Sequence, residues 1–131
     1  MSVDYRALSG IVASGTVVQY RAVKLSTSAD RTILALTNAN AEDPIGILQN
    51  DPASGEAADV AIDGVCKAEY GGTVTRGDKL ACNNDGDLIT DVEVKDGSAV
   101  DLHHIAVALE SGSDTEVHLV LLHTPVRIGL E

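Results

Sequence analysis

A reactive site in this chain would have to be assembled from four histidines, two cysteines, twenty acidic residues and a few hydroxyls. His103 and His104 are adjacent, and neighbours on a strand point to opposite faces, so these two do not chelate one metal together. His118 and His123 stand well apart from them in sequence, and ordinary surface or partly buried roles are expected for all four. Cys66 and Cys82 are too few for a disulfide scaffold and lack the spacing of a zinc motif. Ser54, between Pro52 and Gly55, lacks the strand-to-helix elbow of a hydrolase nucleophile, and no base is placed beside it. Asn83, Asp85 and Asp87 fall short of the ligand set and terminal glutamate of a calcium loop. Gly71, Gly72 and Gly77 lack phosphate-loop spacing and its Lys-Ser/Thr ending. Asp59 and Asp63 share a strand face, but with 20 acidic residues such pairs arise by chance. No catalytic, cofactor-binding or metal-binding residue is therefore assigned, no cofactor is called for, and an enzyme is not expected.

The elements that would position these groups centre on Pro44 to Leu80. Ile45-Gly46-Ile47-Leu48 is a short apolar run, and a turn follows at Asn50 to Gly55. Next comes the clearest alternation in the chain. Val60, Ile62, Gly64 and Cys66 fall on one side, with Asp59, Ala61, Asp63, Val65 and Lys67 on the other. That period of two predicts a strand with one buried face, which makes Cys66 a buried free thiol. Further strands are expected over Thr16 to Leu25, Thr32 to Thr37, Lys79 to Cys82, Leu88 to Val94, Ile105 to Leu109 and Val117 to Leu122. Asn83 to Asp87 reads as a hairpin turn around Asp-Gly. About nine short runs with turns roughly every 8–12 residues predict an all-β fold, a compact small barrel or sandwich. Residues 1–15 are expected to form an N-terminal arm, 16–124 a single β domain and 125–131 a C-terminal tail.

Composition narrows the function classes. The 131 residues suffice for one domain, and with no Trp or Phe its core must be aliphatic. A formal charge of −11 opposes phosphate backbones, so no nucleic-acid partner is expected. No apolar run approaches membrane-spanning length, and MSVDYRALSG carries charges where a signal peptide would be apolar. Only Tyr5, Tyr20 and Tyr70 could build an aromatic platform for a sugar.

Three ordered blocks carry a resemblance. Ile45 to Pro52 followed by Gly55 to Val65 resembles the centre of small tailed-phage capsid decoration proteins, the cement or head-stabilising family. Val74-Thr75-Arg76-Gly77-Asp78-Lys79-Leu80 is similar to a strand of that family that starts after glycine-aspartate. Val107 to Gly112 with Val117 to Leu122 is similar to its closing hairpin. The likeness spans roughly residues 16–124. It implies a non-enzymatic virion protein, made in the host cytoplasm, that binds the outside of an assembled shell and stabilises it against internal DNA pressure. The implied partner is the major capsid protein shell. Threefold shell sites imply a homotrimer, and the arm is a candidate for reaching the shell. The rival readings are a small β-barrel module binding a carbohydrate or peptide, and a hydrolytic or lyase-like β-enzyme.

Overall fold

The structure, a computed structural model, describes residues 3–38, 42–90 and 102–128. Among them are ten strands and no helix. In chain order these are β1 (Asp4–Leu8), β2 (Val12–Ala13), β3 (Ala22–Leu25), β4 (Thr32–Ala35), β5 (Pro44–Leu48), β6 (Val60–Glu69), β7 (Lys79–Cys82), β8 (Leu88–Thr90), β9 (Leu102–Ala108) and β10 (Val117–Ile128). They form one sheet in the order β2-β4-β3-β5-β6-β10-β9-β7-β8, with β1 paired to β6 off that path. The expected all-β class holds, and the sheet is not closed into a barrel.

β6 is the organising strand. β5 pairs with it at Val60 and Ala61, and β10 pairs with it from Gly64 to Glu69. β1 pairs with Val60 to Val65, so it lies along the opposite edge from both. Gly64 permits that approach. Its φ is +100°, and a Cβ there would lie 2.3 Å from the Asp4 carbonyl oxygen. The ladder slips by one residue between Arg6 and Ala7, where Ala61 and Asp63 are the β6 partners. Ile62 is therefore the extra residue of a bulge, which re-aims side chains and breaks a strict alternation. Val60 and Cys66 are buried as the period of two predicted. Ile62 is only half-buried, while Ala61 on the expected polar side is fully buried.

Two aliphatic clusters fill the interior. One surrounds Tyr70 and includes Ile47, Cys66, Leu80, Leu88, Ile105, Val120 and Leu122. The other joins Ile11, Ala13, Val17, Val23, Ile33, Leu48 and Val60. The residues read as an N-terminal arm enter both. Tyr5 packs against the first cluster and Leu8 against the second, while Ile11 and Ala13 are buried outright. The Tyr5 hydroxyl donates to Asp59 Oδ2 at 2.6 Å, and Arg6 Nε donates to Asp63 Oδ2 at 2.9 Å. At the other end β10 continues past residue 124, with Val126, Arg127 and Ile128 paired to β9.

The strand read from Thr16 is shorter than expected and begins at Ala22. Tyr20 has φ 71°, which ends any extended run before it. Its N–H donates to Leu48 O at 2.6 Å, and its carbonyl accepts from Glu69 N–H at 2.9 Å. The β7–β8 hairpin forms as predicted, with Ala81 opposite Ile89. Its turn packs on β3, where Ala22 N–H donates to Gly86 O at 2.8 Å. Gly86 has φ +89°, and a Cβ there would meet the Ala22 oxygen at 2.6 Å. The expected continuation of β8 through Val94 lies outside the described residues.

Candidate functional site

The groups weighed for chemistry are dispersed by this fold. Ser54 Oγ accepts from Gly15 N–H at 3.0 Å in an exposed loop. Asn83 Oδ1 accepts from Asp85 and Asp87 N–H, each at 3.0 Å, which is turn chemistry. Asp59 and Asp63 take separate partners on β1, Tyr5 and Arg6. Cys66 and Cys82 are buried free thiols, and burial pushes them up to about 12 and about 11. Among the described residues no group of three or more His, Cys, Asp or Glu is placed to hold a metal. His104 and His123, far apart in sequence, do meet, with ring centroids 4.5 Å apart.

Two ionic clusters escaped the sequence reading. In the first, His118 bridges both ends of the turn that joins β9 to β10. Its Nδ1 lies 3.0 Å from Glu110 Oε1 and its Nε2 lies 3.1 Å from Glu116 Oε1. The hydrogen bond to Glu116 leads in raising the imidazole, with Glu110 adding to it against partial burial. Glu110 is lowered first by the Leu119 N–H and then by His118, and Glu116 first by the Ser113 N–H and then by His118. Tyr70 sits beneath, its hydroxyl donating to Glu110 O at 2.7 Å and its ring centroid 5.1 Å from that of His118. The usable signal was two carboxylates flanking a Gly-Ser-Asp turn with a histidine just beyond.

The second cluster ties distant loops. Arg21 Nη2 reaches Glu69 Oε2 at 3.2 Å, and Arg21 Nε stands 3.0 Å from Asp87 Oδ1. The latter pair is not aligned as a hydrogen bond, so that contact is Coulombic. Burial raises Asp87, the hydrogen bond with Glu69 adds to this, and Arg21 opposes it. No local pattern joins positions 21, 69 and 87.

A groove of about 390 Å³ runs past Lys24, Leu25, Leu34, Glu42 and Ile45. Lys24 pairs with Glu42 across it.

The more extended feature is the outer face of the sheet. Register places Val65, Leu121, Val107 and Lys79 in one row across β6, β10, β9 and β7. Leu121 is 43% exposed, and Val117 and Leu109 near one end of the face are each 38% exposed. Beneath it, Val120 and Leu122 point into the core. β10 is thus apolar on both faces over Leu119 to Leu122. That unbroken run is the sequence signal for a sheet face with apolar surface to spare.

A family model described as phage cement protein matches residues 2–122. The chain belongs to the phage cement protein family. It is accordingly a structural component of a phage virion and associates with the capsid. No curated protein matches it. Among solved structures, it is similar to the head fiber gp8.5 N base of bacteriophage phi29. The two share 18% identity with a TM-score of 0.61, and 99% of each chain is covered. At that identity the likeness establishes a shared fold. The family match also takes in residues 2–15, which the resemblance read from the sequence had left uncovered.

Proposed function

We propose that this cement protein binds the outer surface of an assembled capsid shell, built from the major capsid protein, and holds it against internal DNA pressure. The family match over residues 2–122 carries the reading. A protein surface suits the job better than a pocket. The row Val65–Leu121–Val107 offers apolar area on a rigid sheet, where contact with another protein removes it from water. The charge of −11 opposes contact with packaged DNA and keeps copies apart before docking. Threefold shell sites favour action as a homotrimer, which needs no trimer in free solution. Synthesis is in the host cytoplasm, and recruitment follows shell assembly.

The test is co-sedimentation with mature and immature shells of the matching virus, followed by heating. Bound protein should raise the temperature at which shells rupture. Leu121→Asp leaves the core untouched and should weaken binding. Absence of binding to both shell states by folded protein would remove the proposal. The rival sugar-binding reading is the less well supported, because Tyr70 is fully buried and Tyr5 and Tyr20 are each only partly exposed.

A further inference from the structure

Separately from shell binding, we infer that β1 is a docking edge for the β1 strand of a second copy of this chain, the two running antiparallel about a twofold axis at Tyr5. Both ends of the sheet are covered. At the β2 end Gly55 N–H donates to Ala13 O at 2.7 Å, and Ala13 N–H donates to Glu56 O at 3.0 Å. At the β8 end Gly71 N–H donates to Leu88 O at 2.8 Å. The edge of β6 beyond β1 is closed too. There the Gln49 side chain donates to Lys67 O at 2.9 Å and accepts from Lys67 N–H at 3.2 Å. Covering of this kind is how a sheet stops further strands from adding to it. β1 has β6 on one side and, among the described residues, no strand on the other.

The hydrogen-bond phase of β6 fixes which groups of β1 face outward. Glu69 N–H and Lys67 N–H point away from β10, to Tyr20 O and the Gln49 side chain. Alternation turns Val65 and Asp63 the same way, toward Asp4 and Arg6. Across the bulge, Asp59 O takes Gln49 N–H on the β5 side, which leaves Val60 facing Leu8. The N–H and C=O groups of Tyr5 and Ala7 therefore point outward. Charge then selects the register. A twofold axis at Asp4 or at Arg6 sets like charges face to face, which is destabilising. An axis at Ala7 sets Arg6 against Leu8. An axis at Tyr5 sets Tyr5 against Tyr5, Val3 against Ala7, and Asp4 against Arg6 of the second copy, twice over. Both ions suit that arrangement. The Arg6 side chain is 76% exposed with Asp63 as its ionic partner, and Asp4 is exposed with no ionic partner among the described residues. A contact of one strand is small, so the pairing is weak in free solution. On a shell, copies held side by side gain from a raised effective concentration, and the pairing links one threefold cluster to the next. That consequence rests on the shell-binding reading, whereas the pairing itself is read without shells.

The experiment uses the full chain at about 0.15 M salt, which screens charges farther apart than about 8 Å. Asp4→Cys protein is mixed with Arg6→Cys protein under mild oxidation. In the proposed register these two positions stand about 4.5 Å apart between Cα atoms, within disulfide reach, whereas like positions stand about 8 Å apart, outside it. The mixture should form disulfide-linked dimer at least about fivefold faster than either protein alone. Cys66 and Cys82 are buried and take no part. In the parent, amide exchange at Tyr5 and Ala7 should slow as the protein is raised to about 1 mM, while that at Arg6 stays constant. Ala7→Pro removes an outward N–H, spares the bonds to β6 and should abolish the concentration dependence at Tyr5. Equal cross-linking by the mixture and by either protein alone overturns the register and with it the proposal. Should a variant misfold, the parent decides alone: exchange at Tyr5 and Ala7 that is independent of concentration up to about 1 mM refutes the inference. Failure here leaves shell binding untouched, since the two are read in separate assays.

Discussion

Replacing Gly64 by Ala tests whether β1 is an integral strand. The backbone there sits at φ +100°, which an L-residue adopts at a cost of about 1–2 kcal/mol. The added Cβ would lie 2.3 Å from Asp4 O and 2.9 Å from Tyr5 Cα. Both are backbone atoms, so no side-chain rotation relieves the contact and β1 must move away. Overpacking of this kind adds about 1–3 kcal/mol. The sum is about 3 kcal/mol, which at a urea m-value of about 1.5 kcal/mol/M moves the midpoint by about 2 M. The same substitution in a chain beginning at Ser9 removes the clash and should leave only the backbone strain, about 1–2 kcal/mol. Urea unfolding of the four proteins completes the cycle, with hydrogen exchange at Arg6 and Leu8 reporting on β1 directly. A cost that is the same in both backgrounds, or below about 0.5 kcal/mol in the full chain, would refute the docking of β1 and return residues 1–15 to a loose arm.

Three further outcomes are expected. His118 is raised by its carboxylate partners, so its contribution to stability is complete below its ordinary value of 6.5 and is lost as pH rises through the raised one. Glu110 and Glu116 are lowered, so theirs is complete above 4.5 and is lost as pH falls through the lowered values. Thermal midpoints of His118→Gln against the parent should therefore differ most between those limits and converge on either side. Asp87 is raised by burial, so its effect also favours the fold at low pH and fades as pH rises through the raised value. Asp87→Asn should flatten the loss of stability between pH 3.8 and about 7, and an unchanged slope over that range would contradict the burial argument. Cys66 and Cys82, pushed up to about 12 and about 11, should resist thiol reagents in the folded protein and react together on unfolding. Fast labelling under native conditions would show that the first core cluster is open to solvent.

What the sequence determined by itself was what depends on neighbours along the chain. Turn chemistry at Asn50 to Gly55 and Asn83 to Asp87, and alternation from Val60 to Cys66, made an all-β domain legible. Lys79 to Cys82 and the paired runs ending at Leu122 were read from the same local preferences of glycine, asparagine and β-branched residues. The order of the three resembling blocks led to the cement family. What only the tertiary structure decided was pairing across long separations. β1 looked like an arm because five residues carry too little pattern, yet its partners are 54 to 57 positions away at Asp59 and Asp63. The bulge at Ile62 exists because β1 meets β6 out of step, and no periodicity within β6 announces it. Arg21, Glu69 and Asp87 belong together only because the β7–β8 turn packs on β3. His104 and His123 meet only because β10 departs from its ladder with β9 there. Local steric preference selects strands and turns, whereas register and the meeting of distant side chains are set by how one sheet buries its apolar face.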